Sequence, residues 1–420
     1  MSVNLRLSLS DANLDRNQAS SQRQLAIYVS AGAERGKLSR TAPLNLCLLL
    51  DHSGSMAGQP LETVKQAAGQ LIDQLAPQDR ISVVAFDHQA EVLVPNQSVQ
   101  DPSTVRARIQ KLRSAGGTCI DCGIKAALEQ LAQGKQGTIS QAFVLTDGEN
   151  EHGDNDRCVK LARLATEYNF TLHTLGFGDS WNQDVLESIA DAGGGAMAYI
   201  REPDQAVLEF ERLFQRIQDV GLTNAYLVLR LGAGVRLAEL KPVAQVAPDV
   251  IELPVQAEGN FLSVRLGDLM TDTERVVLIN LYITQPAMVT AATWPVAQVQ
   301  VRYDNPATQQ LSVLTDPVSA EVQFVADFRP NTDPTLAPHI MALAKYRQTQ
   351  MAEAKLQQGD TSGAATLLQA AAKTALQMGD QGAATVLQNS ATRLQSGEAL
   401  SESERKQTRI VSKTVLQPPS

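Results

Sequence analysis

Two textures of hydrophobic pattern divide the chain. From about residue 40 to residue 216, short apolar runs alternate with stretches of helical spacing. Residues 44–50 carry almost no polar interruption, the pattern of a parallel strand covered on both faces. In "PLETVKQAAGQLIDQL", residues 60–75, Leu61, Val64, Ala67, Ala68, Leu71, Ile72 and Leu75 recur at helical spacing, and Pro60 suits a first helical turn. Further strands are predicted at 80–86, 91–94, 142–146, 171–177 and 197–200. Helices are predicted at 102–112, after Thr118, and at 158–168, 183–192 and 203–218. Strands alternating with helices predict an α/β doubly wound, mostly parallel sheet. Right-handed crossovers then gather the functional loops at the carboxyl ends of the strands.

From residue 222 to about 328 the pattern shortens to alternating strands at 225–231, 261–266, 275–283, 296–303 and 318–325, which predict an antiparallel β-sandwich. Residues 3–9 and 24–30 also alternate like strands; lying before the α/β unit, they would complete that sandwich. "RPNTDPTLAP", 329–338, is a linker rich in turn residues. Three Ala/Leu/Gln-rich stretches at 338–358, 361–378 and 381–396 predict a C-terminal α-helical bundle. Within it "GDTSGAATLLQ" at Gly359 is echoed by "GDQGAATVLQ" at Gly379, with glycines at the expected helix ends. The repeat of about twenty residues is too short for a tetratricopeptide array. The predicted division is 1–39 (strands of the sandwich), 40–220 (α/β unit), 221–328 (sandwich), 329–398 (bundle) and 399–420 (a polar, flexible tail).

Composition narrows the function. A net charge of −9 argues against nucleic acid and against an anionic membrane surface as partners. The apolar runs at 46–50 and 276–279 are far too short to span a bilayer. The first residues, "MSVNLRLSLSDANLD", show no basic start followed by an apolar stretch, so a cytoplasmic location is expected. Four cysteines are too few for a disulfide framework in 420 residues, and reduced thiols are expected.

The chemistry concentrates at "LCLLLDHSGSMAGQP", residues 46–60, where the apolar run stops at Asp51-His52-Ser53-Gly54-Ser55. A serine nucleophile would want flanking glycines, as in Gly-x-Ser-x-Gly, and here the glycine lies between the serines. An aspartyl nucleophile wants a second acid two residues on, where Ser53 stands. Helix capping would account for Asp51, Ser53 and Ser55 alone. It leaves unexplained why Thr118, in "GGT", and Asp147, in "LTDG", end segments that converge on the same point. A hard divalent cation explains all five: two carboxylates, three neutral hydroxyls and a glycine that lets the chain curl round the ion. Such a set leaves a position for an oxygen from elsewhere.

This arrangement resembles the von Willebrand factor type A (VWA) family, whose metal-ion-dependent adhesion site (MIDAS) runs Asp-x-Ser-x-Ser, a distant Thr, then an Asp. Asp51, Ser53, Ser55, Thr118 and Asp147 meet that pattern in order. "PLNLCLLLDHSGSM" and "TLHTLGFGDSWNQDVLESIADAGGGAMAYI" also resemble bacterial members, so the likeness covers about 40–220. It implies a Rossmann-like fold and a bound Mg²⁺, with Mn²⁺ or Ca²⁺ as alternatives. It implies that the hydroxyls meet the metal directly while the aspartates act largely through water, and that a partner's Asp or Glu carboxylate completes the shell. A non-enzymatic protein–protein interaction module is therefore expected. The runner-up is an adaptor or assembly factor for an AAA+ ATPase, and a hydrolase or thiol enzyme is the third class.

Other candidates have blander accounts. Cys119 and Cys122 follow Thr118 at a helix start; packing beneath the loop is the expected role, with a redox switch as the alternative. Glu149, Glu151, Asp154 and Asp156, beyond Asp147, read as a solvated acidic rim rather than a second cation site. His52 and His88 read as exposed loop residues, and Cys47 as core. Thr408 and Thr414, set among basic residues, would suit a phosphothreonine reader if the tail is free.

Overall fold

In the strand over residues 44–51 every side chain is buried, and alternate positions feed two different cores. Leu44, Leu46, Leu48 and Leu50 join one cluster, while Cys47 and Leu49 join the other. That is the signature of a sheet covered on both faces. The computed structural model describes residues 1–32, 42–147, 150–177, 182–200, 203–271, 273–285 and 293–413.

The chain opens with β1 (Ser2–Leu9), β2 (Asn13–Asp15) and β3 (Ser20–Gly32). The α/β unit follows as β4 (Leu44–Asp51), α1 (Gln59–Asp73), β5 (Arg80–Phe86), β6 (Ala90–Ser98), α2 (Pro102–Gln110), α3 (Ile120–Gln133) and β7 (Ile139–Thr146). It ends with α4 (Asn155–Glu167), β8 (Phe170–Phe177), α5 (Gln183–Ala192), β9 (Gly194–Ile200) and α6 (Pro203–Gln218). Next come β10 (Val220–Leu231), β11 (Val235–Leu237), β12 (Val243–Ala247), β13 (Ile251–Glu252) and β14 (Val255–Glu258). They are followed by β15 (Phe261–Met270), β16 (Arg275–Thr284), β17 (Trp294–Asn305), β18 (Gln310–Leu314) and β19 (Val318–Val325). The helices α7 (Ala337–Gln357), α8 (Thr361–Gln377), α9 (Gln381–Gln395) and α10 (Glu402–Lys413) close the chain.

The α/β sheet runs β6-β5-β4-β7-β8-β9, parallel except for β6. The chain leaves β4 for β5 on one side and later returns to β7 on the other. The carboxyl end of β4, where Asp51 lies, is thus a topological switch point, the place where an open α/β sheet offers a crevice.

Beside it stand two antiparallel sheets, β1-β3-β16-β12-β13 with β11 on β16, and β14-β15-β10-β17-β19-β2 with β18 on β17. Their facing side chains, among them Leu25, Ile27, Leu227, Leu229, Val277 and Val299, form one core. The segment before the α/β unit enters both sheets: β3 pairs along β16, and β2 pairs with β19 in the one parallel contact of that sheet.

The glycine–aspartate echo resolves into a repeated device. Gly359 and Gly379 take φ of +79° and +78°, the left-handed turn after a helix. Asp360 then caps α8 through Gly363 N–H at 2.8 Å, and Asp380 caps α9 through Ala383 N–H at 2.9 Å.

The stretch expected to be a flexible tail is, over Glu402–Lys413, the helix α10, with Lys406, Thr408 and Ser412 buried. Thr408 is 6% exposed and shares a 3.0 Å hydrogen bond with Ser390, so no reader reaches it in the folded protein. Thr414 lies outside the described residues. Helix α10 also ties the bundle to the α/β unit. Arg409 bonds Asp184 and Glu187 of α5, and Lys413 bonds Glu187 at 2.5 Å and Asp191 at 3.0 Å. Among the described residues no helix is long and apolar enough to cross a membrane.

A chain of hydrogen bonds fastens the α/β unit to the sandwich. Ala196 N–H donates to His173 Nδ1 (3.0 Å), His173 Nε2 donates to Gln141 Oε1 (2.9 Å), and Gln141 Nε2 donates to Asp268 Oδ2 (2.7 Å). Burial, and secondarily the charge of Arg216, holds the His173 imidazole down to about 3. A histidine lowered on folding takes up its proton first in the unfolded chain, so its contribution is complete above pH ~6.5 and is lost as pH falls towards 3. Urea denaturation should show this group costing about 2 kcal/mol between pH 7 and pH 5. In His173→Gln the acid-induced loss should shrink by that amount; an unchanged pH profile would refute the assignment.

Candidate metal centre

The site is assembled from the loops that follow β4 and β7 and from the connection between α2 and α3. Asp51, fully buried, ends β4; its Oδ1 accepts Ser53 N–H at 2.8 Å and its Oδ2 accepts Thr146 Oγ1 at 2.5 Å. Ser55 Oγ donates to Asp147 Oδ1 at 2.8 Å. Its proton being used there, Ser55 accepts from Ser53 Oγ at 3.0 Å. Ser53 is buried and Ser55 exposed, so the row of oxygens runs from the sheet towards solvent.

Thr118 is brought in through the backbone. Gly54 N–H donates to Gly116 O (2.9 Å), Ala115 N–H to His52 O (2.8 Å), and His152 N–H to Thr118 O (2.9 Å). The first glycine of "GGT" is favoured by its left-handed backbone, and the second lies close beneath the exposed His152 ring. Gly116 has φ +72°, and a Cβ there would stand 2.6 Å from His88 Nδ1; at Gly117 it would stand 2.2 Å from His152 Cδ2. The structure thus gathers Asp51, Ser53, Ser55 and Asp147 by direct contact, and Thr118 by stitching its loop to theirs.

The electrostatics suit a cation. Burial pushes the Asp51 carboxyl up to about 6, partly offset by Thr146 and Ser53, and Asp147 adds like charge. Asp147 is itself raised by burial, with Ser55 opposing. No protein cation figures among the main influences on either group. Two carboxylates with no cation among these causes, and the hydroxyls beside them, are the oxygen donors a hard divalent ion prefers.

Comparison with known proteins gives the relationship. The von Willebrand factor type A domain family matches residues 45–215, and the Sll0103-like, C-terminal alpha-helical domain matches residues 334–418. The protein sll0103 of Synechocystis sp. is 55% identical over 420 residues, covering 100% of this chain and 99% of that one. The chain belongs to the Sll0103-like family of VWA proteins. Solved structures share its fold at low identity. One is von Willebrand factor type A from Catenulispora acidiphila, with TM-score 0.81, 17% identity, and 99% of this chain and 97% of that chain covered. Another is the ArnB paralog VWA2 from Sulfolobus acidocaldarius, with TM-score 0.61, 16% identity, and 98% and 97% covered. Inter-alpha-trypsin inhibitor heavy chain H4 of Homo sapiens is 27% identical over 194 residues, 44% of this chain and 21% of that protein.

Several supports of the VWA site carry no motif. Thr146 reads as the end of an apolar run, yet its hydroxyl holds Asp51. Asn150 accepts Ile120 N–H at 2.7 Å and so fastens the start of α3. Of the acidic loop, Asp154 caps α4 through Arg157 N–H at 3.1 Å, Glu151 and Asp156 are exposed, and Glu149 lies outside the described residues. His88 is exposed, while His52 is half-buried with Nδ1 bonded to Arg113 O at 3.0 Å. Cys47 is core, its thiol pushed up to about 12 by burial.

The expectation of reduced thiols fails at one pair. Cys119 and Cys122 are joined as a disulfide across the first turn of α3, directly after Thr118. With Asp121 they form a compact group, but sulfurs bonded to each other are not thiolate ligands. Closing so short a loop restricts the unfolded chain by about 2 kcal/mol on the chain-entropy scale. The double variant Cys119→Ala/Cys122→Ala, or the wild type in a phosphine reductant, should lose up to that much in urea denaturation. Equal stability with and without reductant would show that the disulfide contributes nothing.

Proposed function

We propose that this protein is a metal-dependent binding module. Asp51, Ser53, Ser55, Thr118 and Asp147 would hold Mg²⁺, with Mn²⁺ or Ca²⁺ as substitutes, and an Asp or Glu carboxylate of a protein partner would complete the shell. The observation that carries this reading is the contact between two strand ends, Ser55 with Asp147 and Ser53 with Asp51, which makes a row of oxygens leading to the surface. The ion would supply a positive point for a foreign carboxylate; this chain's residues place it, shield it from below and leave Ser55 at the solvent side. Family membership supports a role in protein–protein interaction.

We read the site as one for binding rather than turnover. The imidazole next to the serines, His52, has Nδ1 engaged by the Arg113 carbonyl instead of a serine hydroxyl. The setting we propose is the cytoplasm; cell fractionation tests it, and recovery in an oxidising compartment, where the Cys119–Cys122 disulfide would persist, would overturn it.

Affinity capture with the full chain, followed by mass spectrometry, tests the function. Partners should be recovered in Mg²⁺ and lost in EDTA and with Thr118→Ala. Recovery of the same partners under all three conditions would refute metal dependence. An AAA+ ATPase among the metal-dependent partners would specify the adaptor form of the reading.

A further inference from the structure

At the end of the α/β sheet opposite Asp51, a cleft of about 1210 Å³ opens between that unit and the sandwich. Gln141 and Thr171, near the starts of β7 and β8, face into it together with Arg216 of α6 and Arg265 and Asp268 of β15. Its volume exceeds what packing defects leave in a folded protein and suits a metabolite-sized ligand.

The charges lining the cleft do not balance once their partners are traced. Two acids at its wall are paired from behind, Asp191 with Lys413 at 3.0 Å, an ammonium that Glu187 shares, and Glu252 with Arg347 at 3.0 Å, and neither cation lines the cleft. Asp249 pairs with Arg216 at 3.3 Å, and Asp268 accepts from Gln141 and from Thr171 Oγ1 at 2.9 Å. Arg163 and Glu167 of α4 line the cleft with opposite signs. Among the described residues cationic groups remain in surplus. Arg275 donates to the carbonyls of Leu266 and Asp268, and Arg265 and Lys241 form no ion pair among the described residues. Burial and the neighbouring guanidinium groups hold Arg275 down to about 10.

Arg265 stands out among them. Its Nε is buried and finds no acceptor among the described residues, a state that costs a protein free energy. Its guanidinium packs close to backbone that carries no side chain. Gly194, at φ +68° in the Gly193–Gly195 run, lies where a Cβ would stand 2.5 Å from Arg265 Nη1. A guanidinium so placed, aimed into a cleft and left without an acceptor, matches the planar fork that recognises oxyanions.

We propose that this cleft binds a small, multiply anionic molecule through Arg265, with Lys241 and Arg275 completing a cationic wall. Phosphate and clustered carboxylates share this chemistry, so pyrophosphate and citrate serve as separate probes. Titration calorimetry and thermal unfolding of the full chain are run at fixed ionic strength without divalent cations, which keeps the outcome independent of the metal centre. Saturable binding of either probe is expected, weakened at least tenfold in Arg265→Gln and several-fold in Lys241→Gln. In anion-free buffer Arg265→Gln should unfold no earlier than wild type, since it removes a charge that lacks a partner. Absence of saturable binding by both probes, or binding undiminished in both variants, would overturn the proposal. So would a large loss of anion-free stability in Arg265→Gln, which would mark the guanidinium as structural.

Discussion

Replacing Asp51 by asparagine should abolish the stabilisation expected of wild type on adding Mg²⁺ or Mn²⁺. A ligand at about one hundred times its dissociation constant raises folding stability by ~2.7 kcal/mol, a shift thermal unfolding resolves easily. Asparagine fills the same space and can still accept from Ser53 N–H or Thr146, so the loops keep their frame while the site loses one of its two negative charges. The metal-free protein should respond in the opposite sense. Burial raises the Asp51 carboxyl to about 6, so at pH 7 it is held ionised against its environment. A raised carboxylate contributes destabilisation that is absent below the unfolded value near 4 and present in full above 6, about 3 kcal/mol in order of magnitude. In EDTA at pH 7, Asp51→Asn should therefore be at least as stable as wild type, and the wild type should gain stability on acidification to pH 5 from this residue. If the variant is weaker in EDTA by several kcal/mol and the wild type ignores Mg²⁺, Asp51 is a loop cap and the metal reading fails.

Asp380→Ala should be the most damaging single change in the helical bundle. Lys345 is fully buried, with Nζ 3.3 Å from Asp380 Oδ2 and donating to Val411 O at 2.8 Å. Burial holds its ammonium below the ordinary range, and Asp380 opposes that shift. Removing the carboxylate leaves a buried charge under-compensated, at a cost of about 3–5 kcal/mol, and deletes the α9 cap, worth ~1 kcal/mol. Asp360 is the internal control. It caps α8 in the same way, but its Lys355 partner, at 3.0 Å, is 45% exposed. Asp360→Ala should cost far less than Asp380→Ala, because it loses the cap and an exposed pair adds little. Urea denaturation of the two variants side by side checks the contrast; equal losses would show that the Lys345–Asp380 pair adds nothing to the cap.

The sequence reading and the structure agree where a pattern is long. The strands of the α/β unit were legible because burial on both faces forces unbroken apolar runs such as 44–50. Helices α8 and α9 were legible because each is bounded by a glycine that can turn left-handed and an aspartate that can cap. Strands β11, β13 and β14 span two to four residues, too few to show a period. Helix α10 escaped for a different reason: Lys406, Thr408 and Ser412 are buried in it, so its inward face is spelled in polar letters. At the site, Asp51 and Asp147 stand out because they close apolar runs, while Ser53, Ser55 and Thr118 are picked out by the family pattern. Thr146, the glycine pair and Asn150 do not, since their roles depend on neighbours distant in sequence.

The entry of β1 to β3 into both sheets governs the order in which this chain can fold during synthesis. β1 and β3 can zip together early, but the other edge of β3 waits for β16, and β2 waits for β19. In the interval the α/β unit, whose two apolar clusters lie within residues 42–220, can complete its own core. A nascent chain carries a half-made sheet with an unpaired edge across some 240 residues of translation, as Arg275↔Val29 pairing implies. That edge is the stretch a chaperone would have to guard.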